Sequence, residues 1–171
     1  KFNYPASLVI NSEGIIYVAD QWNHLIRKIT PDGYVSTFAG QSGVSGSNDG
    51  QGTSANFNLP GGIALDSSGN VYVSDIDNHI IRKISSEGHV TTLAGQAGQE
   101  GNADGQGSTA RFTGPTGIAV DENGNIFVAD TDGSLIRKIS PSGFVTTIAK
   151  STSFSFPVGI ALDTSGNLYI S

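Results

Sequence analysis

The chain has 171 residues, 37% apolar and 14% charged, with 23 glycines and a formal charge of −6. That is the size of one domain or of part of one, and it is too low in charge to be a disordered tail. It contains no Cys, which excludes a disulfide scaffold, a thiolate metal site and a Cys nucleophile, and its negative charge argues against a phosphate-binding surface. No apolar run approaches the roughly 20 residues of a membrane-spanning helix.

In chain order, the sequence repeats itself. Asp20-Gln21-Trp22-Asn23-His24-Leu25-Ile26-Arg27-Lys28-Ile29 returns 55 residues later as Asp75-Ile76-Asp77-Asn78-His79-Ile80-Ile81-Arg82-Lys83-Ile84. It returns again, by the same step, as Asp130-Thr131-Asp132-Gly133-Ser134-Leu135-Ile136-Arg137-Lys138-Ile139. A second motif also recurs: Pro60-Gly61-Gly62-Ile63-Ala64-Leu65-Asp66, then the runs that start at Pro115 and Pro157, with a degenerate form at Pro5. The last step is 42 residues, so the basic unit is about 42 and two units carry 13 more.

Each unit reads as four short strands. Ile63–Asp66 is a brief apolar run suited to burial on both faces. Ser67-Ser68-Gly69-Asn70 is a turn, Val71–Ser74 and Ile80–Ser85 alternate, and Val90–Ala94 is rich in β-branched residues. No useful helical period is present. Four antiparallel strands per repeat predict blades packed radially, with the short apolar strand innermost and the Thr-rich strand outermost. The predicted boundaries are 7–39, 62–94 and 117–149 for three blades and 159–171 for half of a fourth, with inserted loops over 40–58 and 95–113.

Asn23-His24-Leu25 lies within the wider pattern P-x-G-I-A-L-D, then G-N-x-Y-V-x-D, then N-H-x-I-R-K-I. The chain thus resembles the NHL-repeat family along its length, with Gly133-Ser134 in place of Asn-His in the third unit. The resemblance implies an all-β propeller of four-stranded antiparallel blades, commonly six to a ring. Three and a half blades make an open arc. The expectation is that the remaining blades of the same parent chain, or another copy, complete it; strand exchange would give a dimer or filament.

The loops between second and third strands are expected to share one rim with the insertions. Trp22, Asn23, His24, Asp77, Asn78, His79 and Asp132 are the candidate ligand-binding residues there, because loops on a rigid scaffold carry recognition. An exposed Trp suits stacking on a glycan or peptide; packing against an insertion is the other reading of Trp22. His24 and His79 are read as capping their own loops, since a metal would need further ligands and the third unit offers Ser134. Asp20, Asp75 and Asp130 with Arg27, Arg82 and Arg137 are read as structural pairs, one per unit. Asp49-Gly50-Gln51-Gly52 and its copy at Asp104 lack calcium-loop spacing and read as turns. Phe57, Phe112 and Phe156 are expected to plug the gaps between blades.

No unique catalytic constellation is present, and no catalytic residue, metal site or cofactor is assigned. The function expected is a non-catalytic binding or scaffold module of a secreted or surface protein, recognising a protein or glycan, or a structural subunit of an extracellular assembly. The alternative implied by the resemblance is a metal-dependent propeller lyase or lactonase with its site mostly in other blades. Asp49, Asp77, Asp104 and Asp132 against Arg111 make the rim repel nucleic acid. There is no N-x-[ST] sequon, and Ser151-Thr152-Ser153 is a candidate for O-linked sugar.

Overall fold

A computed structural model of the chain describes residues 1–150 and 155–171. Ser151-Thr152-Ser153, raised above as a sugar acceptor, lies outside the described residues. Within each sheet every named strand is antiparallel to the strand it pairs with. The first sheet is β1 (Pro5–Ile10), β2 (Ile16–Asp20), β3 (Leu25–Ile29) and β4 (Val35–Ala39). The second has β6 (Pro60–Leu65), β7 (Val71–Asp75), β8 (Ile80–Ile84) and β9 (His89–Ala94), with β5 (Gly50–Gln51) outside β9. The third repeats it: β11 (Pro115–Val120), β12 (Ile126–Asp130), β13 (Leu135–Ile139) and β14 (Phe144–Lys150), with β10 (Gly105–Gln106) outside β14. β15 (Ile160–Leu162) pairs with β16 (Leu168–Ile170).

The core lies between sheets, not inside one, because a four-stranded blade has two faces to bury. Alternation along β7 sends Val71 and Val73 toward Tyr17, Ala19 and Ile26 of the first blade. Tyr72, the intervening residue, packs with Ile118, Ile126 and Val128 of the third. All five residues of β7 and of β12 are therefore buried. The inner strands follow one another as neighbours, β1 beside β6, β6 beside β11 and β11 beside β15, which curves the blades about an axis. Chain termini of the arc stay apolar and uncovered: Leu8 and Ile10 of β1 are 61% and 60% exposed, and Tyr169 of β16 is 60% exposed.

The turns between first and second strands are fixed by one acidic or amide side chain each. Asp66 Oδ1 accepts from the Ser68 and Asn70 N–H groups at 2.9 and 2.8 Å, and Asp121 and Asp163 do the same in later blades. Burial alone would raise the Asp66 carboxyl, yet donors from Asn70, Tyr72 and Ser68 hold it below the usual carboxylate range. Burial, with the Asp66 charge beside it, pushes the Tyr72 hydroxyl up to about 12.

Two expectations about packing need correction. The insertions are not rim loops. Each runs from the rim down the outside of the following blade, where Gly50 pairs with Val90 and Gln51 with His89, and Gly105 with Val145 and Gln106 with Phe144. The Gly52 N–H then donates to the Gly88 carbonyl in the turn at the far end. Each insertion is thus a strap that adds a fifth strand. The reason is local: the glycines at 50 and 52, at φ +154° and +52°, let the chain lie against the sheet edge and turn back.

Phe57 and Phe112 are fully buried between blades, but Phe156 is 61% exposed. It occupies a different register position. Tyr4, Leu59, Gly114 and Phe156 each precede the proline of a motif and each has positive φ, between 52° and 63°. The position equivalent to Phe57 and Phe112 in the last unit is residue 154, outside the described residues.

Candidate functional site

The rim is built from three-residue 3-10 turns at Gln21–Asn23 and Ile76–Asn78, and from the equivalent turn at Thr131–Gly133. Each of the first two ends on a histidine in the left-handed region, His24 at φ 58° and His79 at φ 57°; Ser134 stands there in the third, at φ 51°. This geometry gives the three turn positions separate duties. In the first two turns the first residue, Gln21 or Ile76, lines the channel, and the third, Asn23 or Asn78, points back into the blade; the middle residue of all three is exposed.

The third position is structural in its contacts. Asn23 Nδ2 donates to Asp20 Oδ2 at 2.9 Å and to the Lys1 carbonyl at 3.0 Å. Asn78 is buried, and its Nδ2 donates to Asp75 Oδ2 at 2.8 Å and to the Gly46 carbonyl of the strap at 2.7 Å. The imidazoles do not cap their own loops. His24 Nδ1 accepts from the Leu59 N–H and His79 Nδ1 from the Gly114 N–H, both at 3.2 Å, so each ties its blade to the next. Ser134 Oγ accepts from the Phe156 N–H at 3.5 Å in the same way. The positive φ of Leu59, Gly114 and Phe156 aims those N–H groups backward. An accepting Nδ1 requires the neutral tautomer with its proton on Nε2.

The Asp–Arg pairs sit deeper. Asp75 is fully buried, and its Oδ2 takes Arg82 Nη1 at 2.9 Å. Arg82, also fully buried, reaches the Asn56 carbonyl at 2.8 Å with Nη1. Its Nη2 reaches the Asn48 carbonyl at 3.0 Å and Asp49 Oδ1 at 2.8 Å. The guanidinium lies 5.1 Å from the Phe57 ring centroid. Arg137 repeats this on Asp130, Arg111 O, Ala103 O, Asp104 and Phe112. One arginine therefore clamps each strap to its blade, with the aromatic ring as the floor. Burial pushes both carboxyls, Asp75 and Asp130, up to about 6, against the pull of the Arg charge and the surrounding donors. Asp49 and Asp104, expected on the rim, are spent on these clamps. Arg27 meets Asp20 at 3.4 Å and stacks over Phe2 at 5.4 Å.

What remains free on the rim is the middle position of each turn: Trp22, Asp77 and Asp132, all exposed on successive blades. Trp22 is 58% exposed and stands 5.7 Å, tilted by 30°, from Tyr4, itself 67% exposed. Tyr4, Gln21 and Ile76 then descend into a cavity of about 530 Å3 that follows the inner strands. Its wall is Pro5, Ala6, Ser7, the glycines at 61, 62, 117 and 159, Thr116, Ile118, Val158 and Ile160; among the described residues Tyr4 is the one ionisable side chain on it. Tyr4 was missed in the sequence. Its signal was the residue before the motif proline, aromatic in the first and last units. Among the described residues no group of three or more His, Cys, Asp or Glu is arranged to hold a metal.

The family model described as NHL repeat matches residues 2–29 and 57–84, the two segments that hold the inner strands, the 3-10 turns and the Asp–Arg pairs of the first two blades. The chain belongs to the NHL-repeat family. A second model, described as Teneurin NHL domain, matches residues 98–156. Among curated relatives, Protein SUPPRESSOR OF QUENCHING 1, chloroplastic, of Arabidopsis thaliana is 42% identical over 95 residues, 55% of this chain and 9% of that one. Peptidyl-glycine alpha-amidating monooxygenase B of Xenopus laevis is 37% identical over 101 residues, 57% of this chain and 11% of that one. A crystal structure of a protein of unknown function from Bacteroides thetaiotaomicron superposes with a TM-score of 0.77 at 25% identity, over 96% of this chain and 43% of that one. The chain thus spans under half the length of these relatives, some of which are named as enzymes and others not.

Proposed function

We propose that this chain is a non-catalytic recognition or scaffold module which takes a glycan or protein ligand on the rim formed by Tyr4, Trp22, Asp77 and Asp132. The observation that carries the reading is the exposed Tyr4–Trp22 pair beside a cavity walled by backbone and neutral side chains. Two tilted rings offer apolar faces for the C–H face of a sugar or for a peptide side chain, and the two carboxylates accept hydroxyl or amide donors. The same proposal extends to a secreted or surface setting and to further blades, of this parent chain or of another copy, that cover the apolar faces at Leu8 and Tyr169. A lyase or lactonase site would need ionisable or metal-ligating groups on the channel wall, and among the described residues the wall presents Tyr4 alone.

The test is a glycan array and a peptide library probed with the chain and with Trp22→Ala. Loss of the aromatic face is expected to weaken any hit at least about tenfold, within the 1–3 kcal/mol typical of stacked contacts at interface centres. Hits of unchanged affinity with the alanine variant would remove Trp22 from the site and the proposal with it.

A further inference from the structure

The first blade carries an empty copy of the site that the straps fill in the second and third. In those blades the strap carboxylates Asp49 and Asp104 sit between Arg Nη2 and a threonine of the outer strand: Thr92 Oγ1 donates to Asp49 at 3.0 Å and Thr147 Oγ1 to Asp104 at 2.8 Å. Gln51 and Gln106 then bond a carbonyl of the far turn, both at 2.6 Å. Below them Val90 and Val145 are fully buried. The first blade has each receptor group in register. Arg27 stands for Arg82 and Arg137, Thr37 for Thr92 and Thr147, and Val35 for Val90 and Val145.

Val35 and Thr37 are exposed, and Arg27 is less enclosed than its counterparts. Val35 is 37% exposed, the Arg27 side chain is 15% exposed against 0% for its two counterparts, and β4 is a free sheet edge among the described residues. Arg27 spends Nη1 on Asp20 and Nε on the Ser36 carbonyl, and its Nη2 makes no hydrogen bond among the described residues. A Cβ at Gly33 would meet nothing, whereas at Gly88 and Gly143 it would meet the amides of Gln51 and Gln106. A bare edge and an unspent guanidinium nitrogen together specify what fits: an extended segment offering main-chain hydrogen bonds and one carboxylate.

We propose that the outer edge of β4 is a docking slot for a third strap of Asp-Gly-Gln-Gly chemistry, continuous with Phe2 in the polypeptide. The register sets the source. In both filled copies the strap carboxylate lies eight residues ahead of the phenylalanine under the arginine, Phe57 or Phe112, and Phe2 already holds that place under Arg27. The strap carboxylate would take Arg27 Nη2 and Thr37 Oγ1, and its Gly-Gln pair would close over Val35.

The slot is tested by joining a copy of residues 41–55 ahead of Lys1 and comparing this chain with the original by thermal melting and amide exchange. The added strap is expected to raise the midpoint by about 4 °C or more, and to slow exchange at Val35–Phe38 at least about tenfold. Both gains should vanish with Arg27→Met and, on an unaltered blade, when the added strap carries the Asp49→Asn change. Equal gains in either variant, or no gain at all, would overturn the proposal. Val35–Phe38 amides already protected in the original chain and exposed on dilution would also overturn it, since a second copy would then fill the slot.

Discussion

Replacing Arg137 with methionine is expected to cost about 3–5 kcal/mol, the range for removing one partner of a buried ion pair. The cost does not come from the pair alone. Asp130 would be left as a buried carboxylate without its cation, the Arg111 carbonyl would lose its donor, and the Ala103 carbonyl would keep only the Arg111 N–H. Asp104 would lose its arginine and keep the Thr147 hydroxyl alone of these two partners. The strap over residues 101–107 should therefore lose protection from exchange before the blade melts. The double variant Arg137→Met with Asp130→Asn should recover part of the loss, because no charge is then buried unpaired. A loss below about 1 kcal/mol in urea titration would mean that the clamp is ornamental. A domain of this size has about 5–15 kcal/mol in total, so the expected loss is a large share of it.

The second large effect is expected at the axis. Gly62 and Gly117 lie on inner strands where the next blade's inner strand approaches main chain to main chain. A Cβ on Gly62 would overlap the Thr116 carbonyl oxygen and come within 3.1 Å of the Ile118 nitrogen; on Gly117 it would overlap the Val158 carbonyl oxygen. These obstacles are backbone and cannot rotate away. Gly62→Ala should force the two inner strands apart and break the bonds that Ser74 Oγ makes to the Thr116 carbonyl and from the Gly62 N–H. The expected destabilisation is about 2–3 kcal/mol, at the upper end for overpacking. A change below about 0.5 kcal/mol in the same titration would show that the blades are not held at the spacing described.

These two sites also mark what the sequence could and could not tell. Period and strand order were legible because the blade is a local object: turn residues such as Asp66 and Asn70 and alternation along Val71–Ser74 act within a few residues. The glycines of the P-x-G motif were visible as a pattern, yet their reason lies in a strand from the next blade. The straps were invisible as strands for the same cause. Gly50-Gln51 has no strand propensity, and it becomes one only because Arg82 and the free edge of β9 capture it. His24 and His79 could be matched by repetition, but not their partners 35 residues away at Leu59 and Gly114. On the rim, repetition identified the turns, while the split between a buried Asn78 and an exposed Asp77 depends on the pitch of the 3-10 turn. Phe156 was misread because two phenylalanines precede Pro157, and the one at 154, not 156, holds the place three residues before the proline that Phe57 and Phe112 occupy.

The account rests on blades arranged in an open arc with apolar faces at Leu8 and Ile10 on one side and Tyr169 on the other. Sedimentation velocity of the purified chain over a range of concentrations addresses this directly. The account predicts species heavier than 17.7 kDa whose proportion grows with concentration, because exposed apolar faces of this kind associate. A single 17.7 kDa species at every concentration, melting cooperatively, would contradict it.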